Sequence, residues 1–156
     1  ELLSVVFPGD AYLGRDYMPL VQDRLAFYQK ISRATSGEEL LKIKEETLDR
    51  FGRFTKKEEN LFLISEVKCR LYPFPFTKCV FESGRVVFTL SSLPFNCEGS
   101  VFFQNMDRVF RSQSAPYRIS APQKKFLELS FLTKNISEAL LFARKFDRLF
   151  SRVMSG

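Results

Sequence analysis

Any catalytic reading of this 156-residue chain must do without histidine, which does not occur in it. That removes the commonest general base, every Ser–His or Cys–His nucleophile pair and the commonest metal ligand. No Gly-Lys pair occurs, so there is no phosphate-binding loop of the Gly-x-x-x-x-Gly-Lys-Ser/Thr type, and the seven glycines are too scattered for a dinucleotide fingerprint. Cys69, Cys79 and Cys97 are odd in number and form no Cys-x-x-Cys. They predict buried, reduced thiols rather than a zinc module or a disulfide framework. Three carboxylate pairs stand at Glu38-Glu39, Glu45-Glu46 and Glu58-Glu59. Adjacent helical residues point in different directions, so such pairs build no acid/base dyad. Two of the pairs fall in helix first turns, where negative charge offsets the positive end of the dipole. The remaining acids show no ligand spacing. The expectation is a domain without catalysis, metal or cofactor.

Two charged constellations remain. Glu46 and Asp49 stand three residues apart on one helical face, with Arg50 beside them and Phe51-Gly52 closing the helix. Either these charges bond within the domain and hold the helix against its neighbours, or the acidic face docks on a basic surface elsewhere. The second constellation is basic. Acidic and basic residues balance at twelve each through Arg70, so the whole net charge of +6 arises beyond it. Lys124, Lys125, Arg144, Lys145, Arg148 and Arg152 lie in that second part. They are the candidate contacts to DNA, or else a solvated face.

These side chains need elements to position them. Leu2–Phe7 reads as a short strand or extended arm ended by Pro8-Gly9. Pro19 opens a helix on which Val21, Leu25, Tyr28, Ile31 and Ala34 recur at spacings of three and four. Ser36-Gly-Glu-Glu39 is a capping box starting a second helix, with Leu40, Ile43 and Leu48 on one side and its end near Gly52. Thr55-Lys-Lys-Glu58 is another, starting a third helix that carries Leu61, Ile64, Val67 and Leu71 until Pro73 and Pro75 halt it. Residues 76–82 and 85–90, parted only by Ser83-Gly84, predict a hairpin. Helical spacing returns from Asn96 to Arg111, with Phe102, Phe103, Met106, Val109 and Phe110 on one face. Tyr117–Ser120 and Lys125–Phe131 read as short strands. The last helix follows Asn135-Ile-Ser-Glu138, with Ile136, Ala139, Leu140, Ala143, Phe146, Phe150 and Val153 inward and Arg144, Lys145, Arg148 and Arg152 on its other side.

The predicted class is α+β: three short N-terminal helices, then a small antiparallel sheet in the order hairpin, helix, two strands, helix. Residues 1–18 read as an extended arm or linker and 19–156 as one domain. Eighteen phenylalanines and no tryptophan predict a Phe-filled core. No apolar run approaches membrane-spanning length and no signal peptide is evident, so the expectation is a cytoplasmic domain, and a monomer is expected. The chain starts at Glu1 and runs directly into strand-like sequence, as a piece of a longer protein would.

One ordered set of residues goes further. Asp10-Ala-Tyr-Leu-Gly-Arg-Asp16-Tyr-Met-Pro19 is followed by Arg24-Leu25 and Tyr28, then Glu39-Leu40, Ile43, Glu46, Asp49-Arg50-Phe51-Gly52 and Asn60-Leu61. In order and spacing this resembles the C-terminal domain of bacterial transcription-repair coupling factors. Gly14-Arg15, Thr55, Pro73 and Pro75 depart from that pattern. The resemblance implies a parent that is an ATP-dependent DNA translocase, its ATP and Mg bound in motor domains outside these residues. It implies a domain that folds back on the parent's UvrB-like N-terminal module, covers the surface UvrA needs and restrains the motor until RNA polymerase is engaged. The residues it points to for docking are Glu46 and Asp49, supported by Arg50.

Overall fold

The computed structural model describes residues 3–93, 98–110, 117–121, 126–133 and 135–155. Their elements run β1 (Ser4–Val6), α1 (Val21–Arg33), α2 (Gly37–Phe51), α3 (Lys56–Leu71), β2 (Phe76–Glu82), β3 (Arg85–Leu90), α4 (Gly99–Phe110), β4 (Tyr117–Ser120), β5 (Leu127–Leu132) and α5 (Ser137–Ser155). The α+β class stands, with two corrections. The segment read as a short strand or arm is a strand that belongs to the sheet rather than to a linker, and the sheet is mixed rather than antiparallel. Its order is β1-β2-β3-β5-β4. The arm joins it: β1 runs parallel to β2, with Val5 opposite Cys79, while every other pairing is antiparallel. A hairpin turn cannot join parallel strands, so the chain between β1 and β2 must travel away and return. It does so through a second compact unit, Gly9–Arg70, whereas Glu1–Pro8 and Leu71–Gly156 form the first.

The sheet unit owes its elements to local signals. Ser83 and Gly84 both take positive φ (52° and 71°), the geometry of a two-residue turn whose twist suits the flanking strands. Val86, Phe88 and Leu90 alternate into the interior of β3. They meet α5, whose Phe142, Phe146 and Phe150 are fully buried. The rings pack closely, Phe88 against Phe142 at 4.4 Å and Phe146 against Phe150 at 4.3 Å between centroids. This is the expected Phe-filled core, each buried ring contributing about 1.5–3 kcal/mol through desolvation. Phe142 belongs to it, beyond the inward residues that the spacing of the last helix predicts. Phe103, assigned to the inward face of α4, is 49% exposed, while Phe102 and Met106 are buried. Val109 and Phe110 lie in α4, but their side chains fall outside the described residues. Cys79 is buried and its thiol is pushed up to about 12 by desolvation; burial likewise raises the half-buried Cys69. Neither is a ready nucleophile. Cys97 lies outside the described residues.

The helical unit packs Leu13, Met18, Phe27, Leu40 and Phe62 as its core. Here the spacing of Val21 and Leu25 misleads: they are 59% and 60% exposed, and Phe27 is the buried residue of α1. Leu48 of α2, grouped with Leu40 and Ile43, also lies at the surface. The Ser36 capping box forms with a shift. Ser36 Oγ accepts the Glu39 N–H at 3.1 Å, but the Glu39 carboxylate reaches one residue further back, to the Thr35 N–H at 2.8 Å and the Thr35 hydroxyl. Those bonds hold the Glu39 carboxyl below its usual pKa. Gly52 closes α2 at φ 87°, a conformation that disfavours any side chain.

Candidate functional site

Several residues of the ordered set from Asp10 to Leu61 tie the loop before α1 to the helices. The Asp10 carbonyl accepts from Asn60 Nδ2 at 3.0 Å, and the Tyr12 N–H donates to the Lys57 carbonyl at 3.2 Å. The Leu13 N–H donates to the Tyr28 hydroxyl at 2.7 Å. The Gly14 N–H donates to Glu58 Oε2 at 2.8 Å, while Glu58 Oε1 accepts from the Thr55 N–H at 3.0 Å and from the Thr55 hydroxyl. Tyr17 donates to the Gly52 carbonyl at 2.6 Å and lies 3.3 Å from the Thr47 carbonyl oxygen. Burial, then the nearby Glu58 charge, raise its hydroxyl to about 12. Arg24 Nη1 donates to the Met18 and Pro19 carbonyls at 2.7 and 3.0 Å, fixing the entry into α1.

The three candidate docking residues sit on the exposed side of this scaffold, and the two readings of their charges divide among them. Glu46 is bonded within the domain: Lys30 Nζ donates to both its carboxylate oxygens, at 2.9 and 3.0 Å, with each side chain 43% exposed. Arg50 is also held. Its guanidinium lies 5.3 Å from the Phe27 ring centroid and 5.0 Å from that of Phe51, and 3.8 Å from Asp23. Each cation–π contact at such a surface contributes about 0.5–1 kcal/mol, whereas a half-exposed ion pair contributes about 0–1 kcal/mol. Arg50 is therefore positioned mainly by its rings. Asp49 is exposed, and its side chain makes no hydrogen bond or ion pair among the described residues. The result is one open carboxylate between a carboxylate covered by a lysine and a fixed cation.

Sequence reasoning placed Glu46, Asp49 and Arg50 together but missed Lys30, Asp23 and Phe27. Their signal is topological. A three-residue connection between two helices makes them antiparallel neighbours, so opposite charges on α1 and α2 come within reach. The basic constellation is not brought together in the same way. Lys124 and Lys125 lie outside the described residues, as does the side chain of Arg152. On α5, Arg144 and Lys145 are half-buried and engaged in interactions of their own, and Arg148 is exposed. Among the described residues no group of three or more Cys, Asp or Glu could hold a metal ion. No described helix is long and apolar enough to cross a membrane.

Fold and site thus define a small α+β domain whose helical unit presents a charged, aromatic-backed face. Residues 7–96 match the family model described as the TRCF domain, and the chain belongs to that family. It is 40% identical over 119 residues to a transcription-repair-coupling factor of Haemophilus influenzae, covering 76% of this chain and 10% of that protein. To the transcription-repair-coupling factor of Staphylococcus aureus (strain USA300) it is 25% identical over 140 residues, covering 84% of this chain and 12% of the relative. The chain therefore spans about a tenth of the length of these relatives. Its fold is like that of a crystal structure described as the C-terminal domain of transcription-repair coupling factor. The TM-score is 0.74 at 19% identity, over 92% of this chain and 91% of the other.

Proposed function

We propose that this chain is a non-catalytic regulatory domain of a cytoplasmic DNA translocase in transcription-coupled nucleotide-excision repair. In this reading it docks through Glu46, Asp49 and Arg50 on the basic surface of the parent's own UvrB-like N-terminal module. Docked there, it masks the UvrA-binding surface and restrains the motor until RNA polymerase is engaged. The observation that carries the reading is the α2 face itself: Asp49 exposed and without a partner among the described residues, beside an Arg50 held over Phe27 and Phe51. A carboxylate presented on a rigid helix is ready to meet a cation with little further ordering. Family membership supports the assignment to repair coupling.

Mechanistically this is a two-state clamp. The interface favours the closed form, and polymerase engagement favours release. The interface can be weak, because tethering supplies a high effective concentration. The test is calorimetric titration of this chain with the UvrB-like module supplied in trans, with a DNA duplex as the parallel titrant. Saturable protein binding that is lost in Glu46→Lys/Asp49→Lys supports docking through this face. Unchanged binding in that variant removes the face from the account. Salt-sensitive binding to DNA alone would shift it to a basic accessory domain acting through the Lys124-to-Arg152 set.

A further inference from the structure

The lysine that covers Glu46 has a consequence for how the face is used. Lys30 and Glu46 come from different helices, and one ammonium serves both carboxylate oxygens at 2.9 and 3.0 Å. Both side chains are 43% exposed, so an approaching cation can reach the carboxylate without unfolding anything. Lys30 also lies 4.8 Å from the Phe27 ring centroid, a second place where its charge is accommodated. A flexible, strongly hydrated ammonium is easy to move. Arg50, by contrast, is backed by two rings and directed toward Asp23.

We propose that Lys30 is a built-in competitor for the docking partner. In the free domain it neutralises Glu46, and a partner's cation engages that carboxylate only by displacing it. This rests on the docking reading above and adds a regulatory element to the same face. Asp49 is open to a first contact, Glu46 becomes available as Lys30 leaves, and Arg50 repels cations placed off register. Such an arrangement keeps the closed state weak enough for release.

The experiment is the titration with the UvrB-like module, run on Lys30→Met, Glu46→Gln and the double variant, with Lys30→Gln as a second replacement and far-UV circular dichroism to confirm folding. Because displacement of a half-exposed pair is all that Lys30 imposes, its removal tightens binding by roughly two- to fivefold. In the Glu46→Gln background the same removal gives no gain. Equal tightening in both backgrounds would mean that Lys30 acts only as a distant like charge, and the proposal fails. Weaker or unchanged binding on removing Lys30, while Glu46 or Asp49 substitutions still weaken docking, overturns it too, since Lys30 would then be orienting Glu46. If substituting Glu46 and Asp49 leaves binding intact, it is the docking reading that falls.

Discussion

Glu58 is the side chain on which the helical unit turns, and its removal has a calculable effect. It is fully buried and accepts from three donors: the Gly14 N–H, the Thr55 N–H and the Thr55 hydroxyl. In Glu58→Ala the Thr55 groups, at an exposed residue, can turn to water, so their loss amounts to the capping contribution of about 1 kcal/mol. Gly14 is buried, and an unsatisfied buried N–H costs about 1–3 kcal/mol. Relief of carboxylate desolvation offsets a fraction of this. The net expectation is a loss of about 1–3 kcal/mol, a substantial share of the 5–15 kcal/mol typical of a domain. Glu58→Gln keeps the shape and one acceptor and loses about half as much, by the same hydrogen-bond magnitudes. Urea unfolding followed by circular dichroism measures the stability, and amide exchange at Gly14 reports the bond itself. A loss under about 1 kcal/mol in Glu58→Ala, or a Gly14 amide as protected as before, would refute the assignment.

Further expectations follow from the same geometry. Tyr17→Phe removes the hydroxyl donated to the Gly52 carbonyl and lowers stability by about 1 kcal/mol in urea unfolding. Because the Tyr17 hydroxyl is raised from 10.0 to about 12, its contribution is fully present below pH 10 and is lost as pH climbs from there toward 12. That alkaline decline is shallower in Tyr17→Phe. Gly52→Ala forces a side chain into φ 87° and destabilises by about 1–3 kcal/mol, read as a lowered Tm. In the sheet unit, Phe142→Ala leaves a cavity among Phe76, Phe88 and Phe146 and costs about 3–5 kcal/mol. Phe103→Ala, at a half-exposed site, stays within about 1 kcal/mol of the parent.

The elements were legible wherever local chemistry decides them. Ser36 and Thr55 start helices, Pro73 and Pro75 follow the end of one, and Ser83-Gly84 turns a hairpin, all through bonds or φ values within a few residues. What stayed hidden depends on distant partners. β1 is three residues long and pairs with a strand more than seventy positions away, which no periodicity encodes. Glu58 read as a capping residue, yet its second oxygen holds Gly14, 44 residues earlier. Val21 and Leu25 carry the spacing of a buried face, while the actual packing of α1 centres on Phe27. At the candidate site the three residues were readable from one helix. Their partners, on another helix, were not.

This division bears on what the motif means. Part of the stretch that carries the resemblance is an internal scaffold: the Tyr17, Arg24, Tyr28 and Asn60 side chains each bond to a neighbouring segment. Such residues specify that the loop, α1 and the end of α2 hold one geometry. They do not by themselves specify a partner. Glu46, Asp49 and Arg50 differ in being on the outer side of the same helix whose end Tyr17 fixes through Gly52. Precision at the face is therefore supplied by the scaffold beneath it. Damage to the scaffold should then impair docking even where no contacting charge is changed. Tyr17→Phe is the cleanest probe, since the domain remains folded while the end of α2 loosens. If it binds the UvrB-like module as tightly as the parent does, the face does not depend on that support, and scaffold and docking are separate properties of the domain.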